Sequence, residues 1–155
     1  QHAVKALKEK DGYEPDYVLL LQPTSPLRQA FHIKEAAELI EKNGADSVLS
    51  VAEIPENYHH RKAMFANESG ILRLVGSNRP IHERVARRQD LEKSYWSVGS
   101  IYLFKTGLLS DPVKPNFYGE KTVPLPVDAK YCVDINVPAD WEEAEKALKR
   151  LTTND

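Results

Sequence analysis

The run Asp16-Tyr17-Val18-Leu19-Leu20-Leu21-Gln22 limits the possible folds more than any other segment of the chain. Its middle is apolar without alternation, the pattern of a strand covered on both faces within a parallel sheet. Pro23-Thr24-Ser25-Pro26-Leu27-Arg28 follows at once. Proline brings no amide donor to a sheet ladder, so the strand must give way here to a stiff loop. Ile33, Ala36, Ala37 and Ile40 then recur at helical spacing, with Lys34, Glu35, Glu38 and Glu41 mostly on the other face and Gly44 as the stop. With Ser47-Val48-Leu49-Ser50-Val51 as the next strand, residues 16–52 read as a strand-helix-strand unit with a right-handed crossover. The expectation is an α/β fold built on a mostly parallel sheet.

The remaining segments fit around that unit. Ala3, Val4 and Leu7 have helical spacing with no N-cap before them, and the only methionine is Met64, so the chain is expected to begin inside a helix, with upstream sequence removed. Residues 54–97 form an excursion from the sheet, in which 62–66 and 71–75 pair as a hairpin across Asn67-Glu68-Ser69-Gly70. Strand character returns at 98–104, where Ile101 and Leu103 alternate against Tyr102 and Phe104. Pro112, Pro115, Pro124 and Pro126 punctuate the next stretch, where 122–127 suits a short edge strand. A helix over 138–151 closes the chain, with Pro138 in its first turn and Trp141, Ala144, Leu148 and Leu151 as its buried stripe.

Composition excludes several classes of function. A chain of 155 residues that is 41% apolar makes one α/β domain, 1–155, with a real core. Its 23 acidic and 21 basic residues leave a net charge of −2, which offers no field to draw nucleic acid or an anionic membrane. No apolar run approaches the ~18 residues of a membrane span, and no signal segment opens the chain. A single cysteine, Cys132, rules out an intrachain disulfide and suits a reducing compartment, with cytoplasm the expected location.

Several groups could carry chemistry, each with a plainer alternative. The Gln22 to Arg28 loop lies where open α/β sheets bind ligands, beyond the carboxyl end of a strand, and offers an amide, two hydroxyls (Thr24, Ser25) and a guanidinium; a structural turn is the alternative. Asp134 and Asn136 stand two residues apart on an extended segment, so both side chains point one way, as two carboxylates sharing a magnesium ion do, but the neutral Asn136 amide lowers the expected affinity. The alternative is helix entry, where Asp and Asn serve as caps. Lys62, Arg84, Arg87 and Arg88 form either an anion site or a solvated basic face. His59-His60 lacks a third ligand for zinc, Trp96 and Trp141 suit core or interface anchoring, and Cys132 has no activating base.

Taken in order, these segments resemble the acylneuraminate cytidylyltransferases, the CMP-sialic acid synthetases, and their relatives acting on legionaminic, pseudaminic and Kdo-type sugars. Leu21-Gln22-Pro23-Thr24-Ser25-Pro26-Leu27-Arg28 is similar to the family's central signature. Arg88-Gln89-Asp90-Leu91 followed by Val98-Gly99-Ser100-Ile101-Tyr102 resembles its arginine-glutamine segment and next strand, and Val133-Asp134-Ile135-Asn136-Val137-Pro138 its metal motif. The resemblance implies a Rossmann-like three-layer nucleotidyltransferase fold. It implies a reaction in which a nonulosonic sugar acid attacks the α-phosphate of CTP and pyrophosphate leaves, with Mg2+ aligning the displacement.

By the same resemblance, Asp134 and Arg88 are the catalytic candidates. Gln22, Thr24, Ser25, Arg28, Lys62 and Arg88 line the substrate site, and Asp134 with Asn136 faces the metal. The segment 54–97 is the inserted dimerisation lobe, and Lys62 and Arg88 act in trans within a homodimer. The sequence departs from the family at four points. The opening strand and glycine-rich basic loop that cradle the CTP phosphates are absent, Asn136 replaces a second carboxylate, Val98 replaces an asparagine, and Glu92 stands where proline is common. The expectation is a chain inactive alone and prone to self-association through an exposed sheet edge, or else a non-catalytic interaction or anion-binding module.

Overall fold

The computed structural model describes residues 1–111 and 114–153, and the Arg88 side chain lies outside the described residues, as does Pro112. The chain divides into two compact units, Gln1–Ala52 with Ser97–Asp155, and Glu53–Trp96.

The first unit is built on a four-stranded sheet of β1 (Tyr17–Leu20), β2 (Ser47–Glu53), β5 (Tyr95–Lys105) and β6 (Thr122–Pro126), in the order β1-β5-β2-β6. The α/β class expected from the sequence holds, with a mixed sheet: β1 runs antiparallel to β5, with Leu19 opposite Leu103, and β2 runs parallel to β6, with Val48 opposite Val123. This order reverses the reading of residues 16–22. It is β2, flanked by β5 and β6, that is buried on both faces, while β1 lies at the edge with Tyr17, Leu19 and Leu20 substantially exposed. The apolar run identified a strand correctly but not its place, because strand order depends on pairing partners more than eighty residues away. At the other edge, β6 tolerates Pro124 and Pro126 because one side of its ladder needs no donors.

Among the described residues, the α-helices of this unit are α1 (His2–Asp11), α2 (Ala30–Asn43) and α3 (Pro138–Thr152). The α2 helix lays Ala36 and Ile40 into a core with Ala45, Val48, Ile101, Leu103, Leu125 and Val127. Its buried face includes His32 and leaves Ala37 exposed, a small rotation from the expected stripe. Gly44, at φ 55°, ends it in the left-handed conformation that glycine adopts without strain. Ile101 is fully buried and Val48 nearly so; truncating Ile101 to alanine costs about 2–5 kcal/mol through lost burial and the cavity left behind.

The α3 helix differs more from expectation. It packs through Ala144, Ala147 and Leu151, whereas Trp141 and Leu148 are 59% and 48% exposed, so the expected stripe is only half buried. The Trp141 indole N–H donates to Glu145 Oε1 at 3.2 Å instead of entering the core. No helix among the described residues is long and apolar enough to cross a membrane.

The second unit contains a hairpin of β3 (Met64–Ala66) and β4 (Leu72–Leu74), with Met64 opposite Leu74 and Ala66 opposite Leu72. Asn67 shapes the turn, its Oδ1 accepting from the amides of Ser69 (3.1 Å) and Ile71 (2.8 Å). Lys62, expected at the start of the first strand, lies in the 3-10 turn His60–Lys62 instead. Leu74 and His59 are buried, but Met64, Phe65, Ile71, Leu72, Val75 and Ile81 are exposed. A hairpin of three-residue strands has little stability of its own, and polar contacts hold much of the unit. His59 Nε2 donates toward Glu92 O (2.9 Å) and Ser94 Oγ (2.8 Å), and Arg61 pairs with Glu92 at 3.1 Å. Glu92, in the position where a proline is common, is held below the usual carboxylate range by its own backbone amide and by Arg61.

Candidate functional site

Two prolines carry the chain off β1 into the loop that ends at Arg28, and a set of inward hydrogen bonds fixes that loop to β5. Arg28 Nη1 donates to the carbonyls of Gln22 (3.2 Å) and Ser100 (2.9 Å). Ser25 is buried, its Oγ donating to Val98 O at 3.5 Å, and Leu27 beside it is fully buried. The guanidinium and one hydroxyl of the expected ligand set are thus engaged with the protein's own backbone. Gln22 and Thr24 differ: both are partly exposed, and neither side chain has a hydrogen-bond partner among the described residues.

Gly99 shows how closely Gln22 is seated. It lies within β5 at φ +70°, and a Cβ there would collide with Gln22 Oε1. The missing side chain is the space the Gln22 carboxamide fills, a role for glycine inside a strand that close approach of another group accounts for. Tyr102 lies on the same side, its hydroxyl 3.5 Å from Ser97 Oγ.

The Asp134 segment joins this loop through one backbone contact: Ile135 N donates to Thr24 O at 2.9 Å. Motifs more than a hundred residues apart thereby form one surface at the carboxyl end of β1. Capping of α3 falls to Asp140, whose Oδ2 accepts from the amides of Asn136 (2.8 Å) and Val137 (2.9 Å) and whose carboxyl is held low by those bonds. Asp134 is therefore free of the helix-entry role. Its Oδ2 accepts from Asn136 Nδ2 at 3.1 Å, and its Oδ1 is buried without a hydrogen-bond partner among the described residues.

The basic candidates lie in the second unit. Lys62 is partly buried with no ion pair among the described residues, Arg84 and Arg87 are exposed, and Arg88 stands in the 3-10 turn Arg88–Asp90 with its side chain outside the described residues. His59, His60 and Glu92 each bring a ligand-capable atom within 4.8 Å of the others. Zinc is not supported there, because His59 Nδ1 accepts from Arg61 N (3.2 Å) while Nε2 serves as a donor, leaving that ring no lone pair for a metal.

Sequence reasoning missed two structural anchors and one histidine. Asp46 joins three elements: Oδ2 accepts from the amides of Glu120 and Lys121, and Oδ1 pairs with Lys105 at 3.1 Å. Its carboxyl is held low, chiefly by the Lys121 amide and then by Lys105. The backbone of Gly119 presses so closely on Asp46 that a Cβ there would overlap it. His32 is buried between Phe31 and Tyr131 and accepts from Gln29 N at 3.2 Å through Nδ1; burial pushes its pKa down against a weaker opposing effect of Glu35. Burial, and then Asp128, push the Cys132 thiol in the opposite direction, up, so it is poorly reactive.

No model of a protein family matches the sequence. Individual proteins do. The chain is 32% identical over 143 residues, 89% of its length, to the N-acylneuraminate cytidylyltransferase of Oncorhynchus mykiss. The chain is a homologue of the N-acylneuraminate cytidylyltransferases. The protein of that name from Streptococcus agalactiae serotype V is 29% identical over 124 residues, 79% of the chain. The CMP-N,N'-diacetyllegionaminic acid synthase of Legionella pneumophila is 29% identical over 142 residues, 86% of the chain. This cytidylyltransferase homologue spans 30% of the length of the first of these relatives, 28% of the second and 54% of the third.

Proposed function

We propose that residues 1–155 carry the acceptor side of a cytidylyltransferase, the part that holds a nonulosonic sugar acid while CMP is transferred to it from CTP. The observation that carries this reading is the Ile135 N to Thr24 O hydrogen bond, which joins the two motif segments of the first unit on one surface. Gln22 is the sugar contact on that surface. Its carboxamide is seated by Gly99 and has both a donor and an acceptor to offer hydroxyl groups. Arg28 and Ser25 shape the loop from within. Lys62 and Arg88 bind the sugar carboxylate in trans within a homodimer, in a cytoplasmic setting that keeps Cys132 reduced.

Magnesium is the cofactor this reaction calls for, and the Asp134 and Asn136 pair does not fit it. One oxygen of Asp134 is closed off from solvent and the other is bonded to the Asn136 amide, so a hydrated ion would have to displace that bond to bind. The chain alone does not transfer CMP. The test is pyrophosphate release from CTP and N-acetylneuraminate with Mg2+ present. The expected rate is that of a protein-free control, and sustained release would contradict the reading.

A second reading, an interaction module without catalysis, is favoured by the exposed Met64, Phe65, Ile71, Leu72, Val75 and Ile81 of the second unit. Both readings call for self-association, and a strictly monomeric species at all concentrations in sedimentation velocity would count against both.

A further inference from the structure

We propose that the Asn136 carboxamide stands in for a divalent cation at Asp134, so that the two residues form a hydrogen-bonded couple in place of a metal site. The inference takes from the proposed function only the expectation that a cation belongs at this pair. Asp134 has two oxygens to offer. Oδ2 accepts from Asn136 Nδ2 at 3.1 Å, and Oδ1 is buried with no hydrogen-bond partner among the described residues. Magnesium holds an octahedral shell, keeps several waters and dehydrates reluctantly, so it needs an open carboxylate oxygen with room beside it. At Asp134, Oδ1 is closed off and Oδ2 is already held by the Asn136 amide, so an ion would have to displace that bond.

The amide cannot rotate into a ligand without loss. With Nδ2 directed at Asp134, its carbonyl oxygen points away; a flip would bring two acceptors face to face and break the 3.1 Å bond. The backbone does not supply an alternative arrangement either, because it is held on both sides. Ile135 N is bonded to Thr24 O, and the amides of Asn136 and Val137 are bonded to Asp140. Those same bonds occupy Asp140 Oδ2, the carboxylate next along the chain. An aspartate at 136 would change both terms at once. It removes the donor that covers Oδ2, and it doubles the negative charge available to a hard cation, the quantity that most directly sets affinity in oxygen-ligand sites.

The test uses Mn2+ as the probe, followed by water-proton relaxation and by the free-ion signal in electron paramagnetic resonance, with circular dichroism to confirm folding. Wild type is expected to show no saturable binding in the low millimolar range. Asn136→Asp is expected to bind at least about tenfold more tightly, and Asp134→Asn in that background to lose the gain. Asn136→Ala uncovers Oδ2 without adding charge and is expected to give a smaller gain of a few fold. Saturable wild-type binding that Asp134→Asn abolishes would overturn the proposal, as would an Asn136→Ala or Asn136→Asp protein that binds no better than wild type. None of these results depends on sugar binding or CMP transfer, so the sugar-acid reading of Gln22 and its loop stands or falls separately.

Discussion

Replacing Arg28 separates a structural guanidinium from a ligand-binding one. Its Nη1 donates to Gln22 O at 3.2 Å and Ser100 O at 2.9 Å, both bonds from a charged group to backbone in a partly buried setting. Such bonds contribute about 1.5–3 kcal/mol each when well made. The longer one and the partial exposure of Arg28 place the pair in the lower part of that range, about 3–4 kcal/mol together. For a chain of this size 1 kcal/mol moves Tm by about 2–4 °C, so Arg28→Ala should lower Tm by roughly 6–16 °C. Arg28→Lys keeps the charge but lacks the fork, can reach one carbonyl, and should recover about half of that loss. Arg84→Ala, a change at an exposed side chain, should stay within about 0.5 kcal/mol of wild type. The assay is thermal unfolding followed by circular dichroism without any ligand. If Arg28→Ala melted with wild type, the guanidinium would not be tying the loop to β5, and a role facing the ligand would return.

Two further perturbations test the anchors that the sequence did not reveal. Gly44 and Gly119 both have positive φ, so alanine at either position carries a left-handed backbone cost of about 1–2 kcal/mol, but only at Gly119 does the new methyl run into Asp46. Asp46 is held by Glu120, Lys121 and Lys105 and has no room to yield, so Gly119→Ala should lose clearly more Tm than Gly44→Ala. Equal losses in calorimetry would refute the contact. Burial lowers the pKa of His32 below its unfolded value of 6.5, so the native state favours the neutral ring that caps α2. The resulting stability is fully present above pH 6.5 and is lost as pH falls through that value toward the lower native one. Tm measured from pH 7.5 down to 5.0 should fall more steeply in wild type than in His32→Gln, and parallel profiles would show that His32 is not responsible.

The parts of the fold legible in the sequence were those encoded locally. The α2 helix, the Gly44 stop, the Asn67 turn and the prolines of β6 each follow from residues within a few positions of one another. Strand order was not legible, because β5 inserts between β1 and β2 through pairings that no local pattern encodes, and this left β1 at an edge. The α3 stripe failed for a related reason. A heptad-like set of apolar residues marks a face that can be buried, but only the neighbouring elements decide whether Trp141 or Ala147 turns inward. At the site, the Gln22 to Arg28 loop and the Asp134 segment read as separate candidates, and the Ile135 N to Thr24 O bond that joins them is a long-range contact that spacing does not encode; Arg28 and Ser25, read as ligand groups, are bonded to backbone. Gly99 carried a signal, a glycine inside a strand pattern, but the side chain that fills its space lies 77 positions away in sequence. His32 carried none that distinguishes a cap from a surface residue.

Whether the Gln22 surface holds a sugar acid is measured by titrating N-acetylneuraminate into the purified chain, followed by isothermal titration calorimetry and by saturation-transfer NMR. Saturable binding of the sugar acid is expected in the absence of CTP and Mg2+, with a loss of about tenfold or more in Gln22→Ala, as when a site loses a group that hydrogen-bonds the ligand. Absence of binding by wild-type protein, or equal binding by wild type and Gln22→Ala, would contradict the sugar-acid reading.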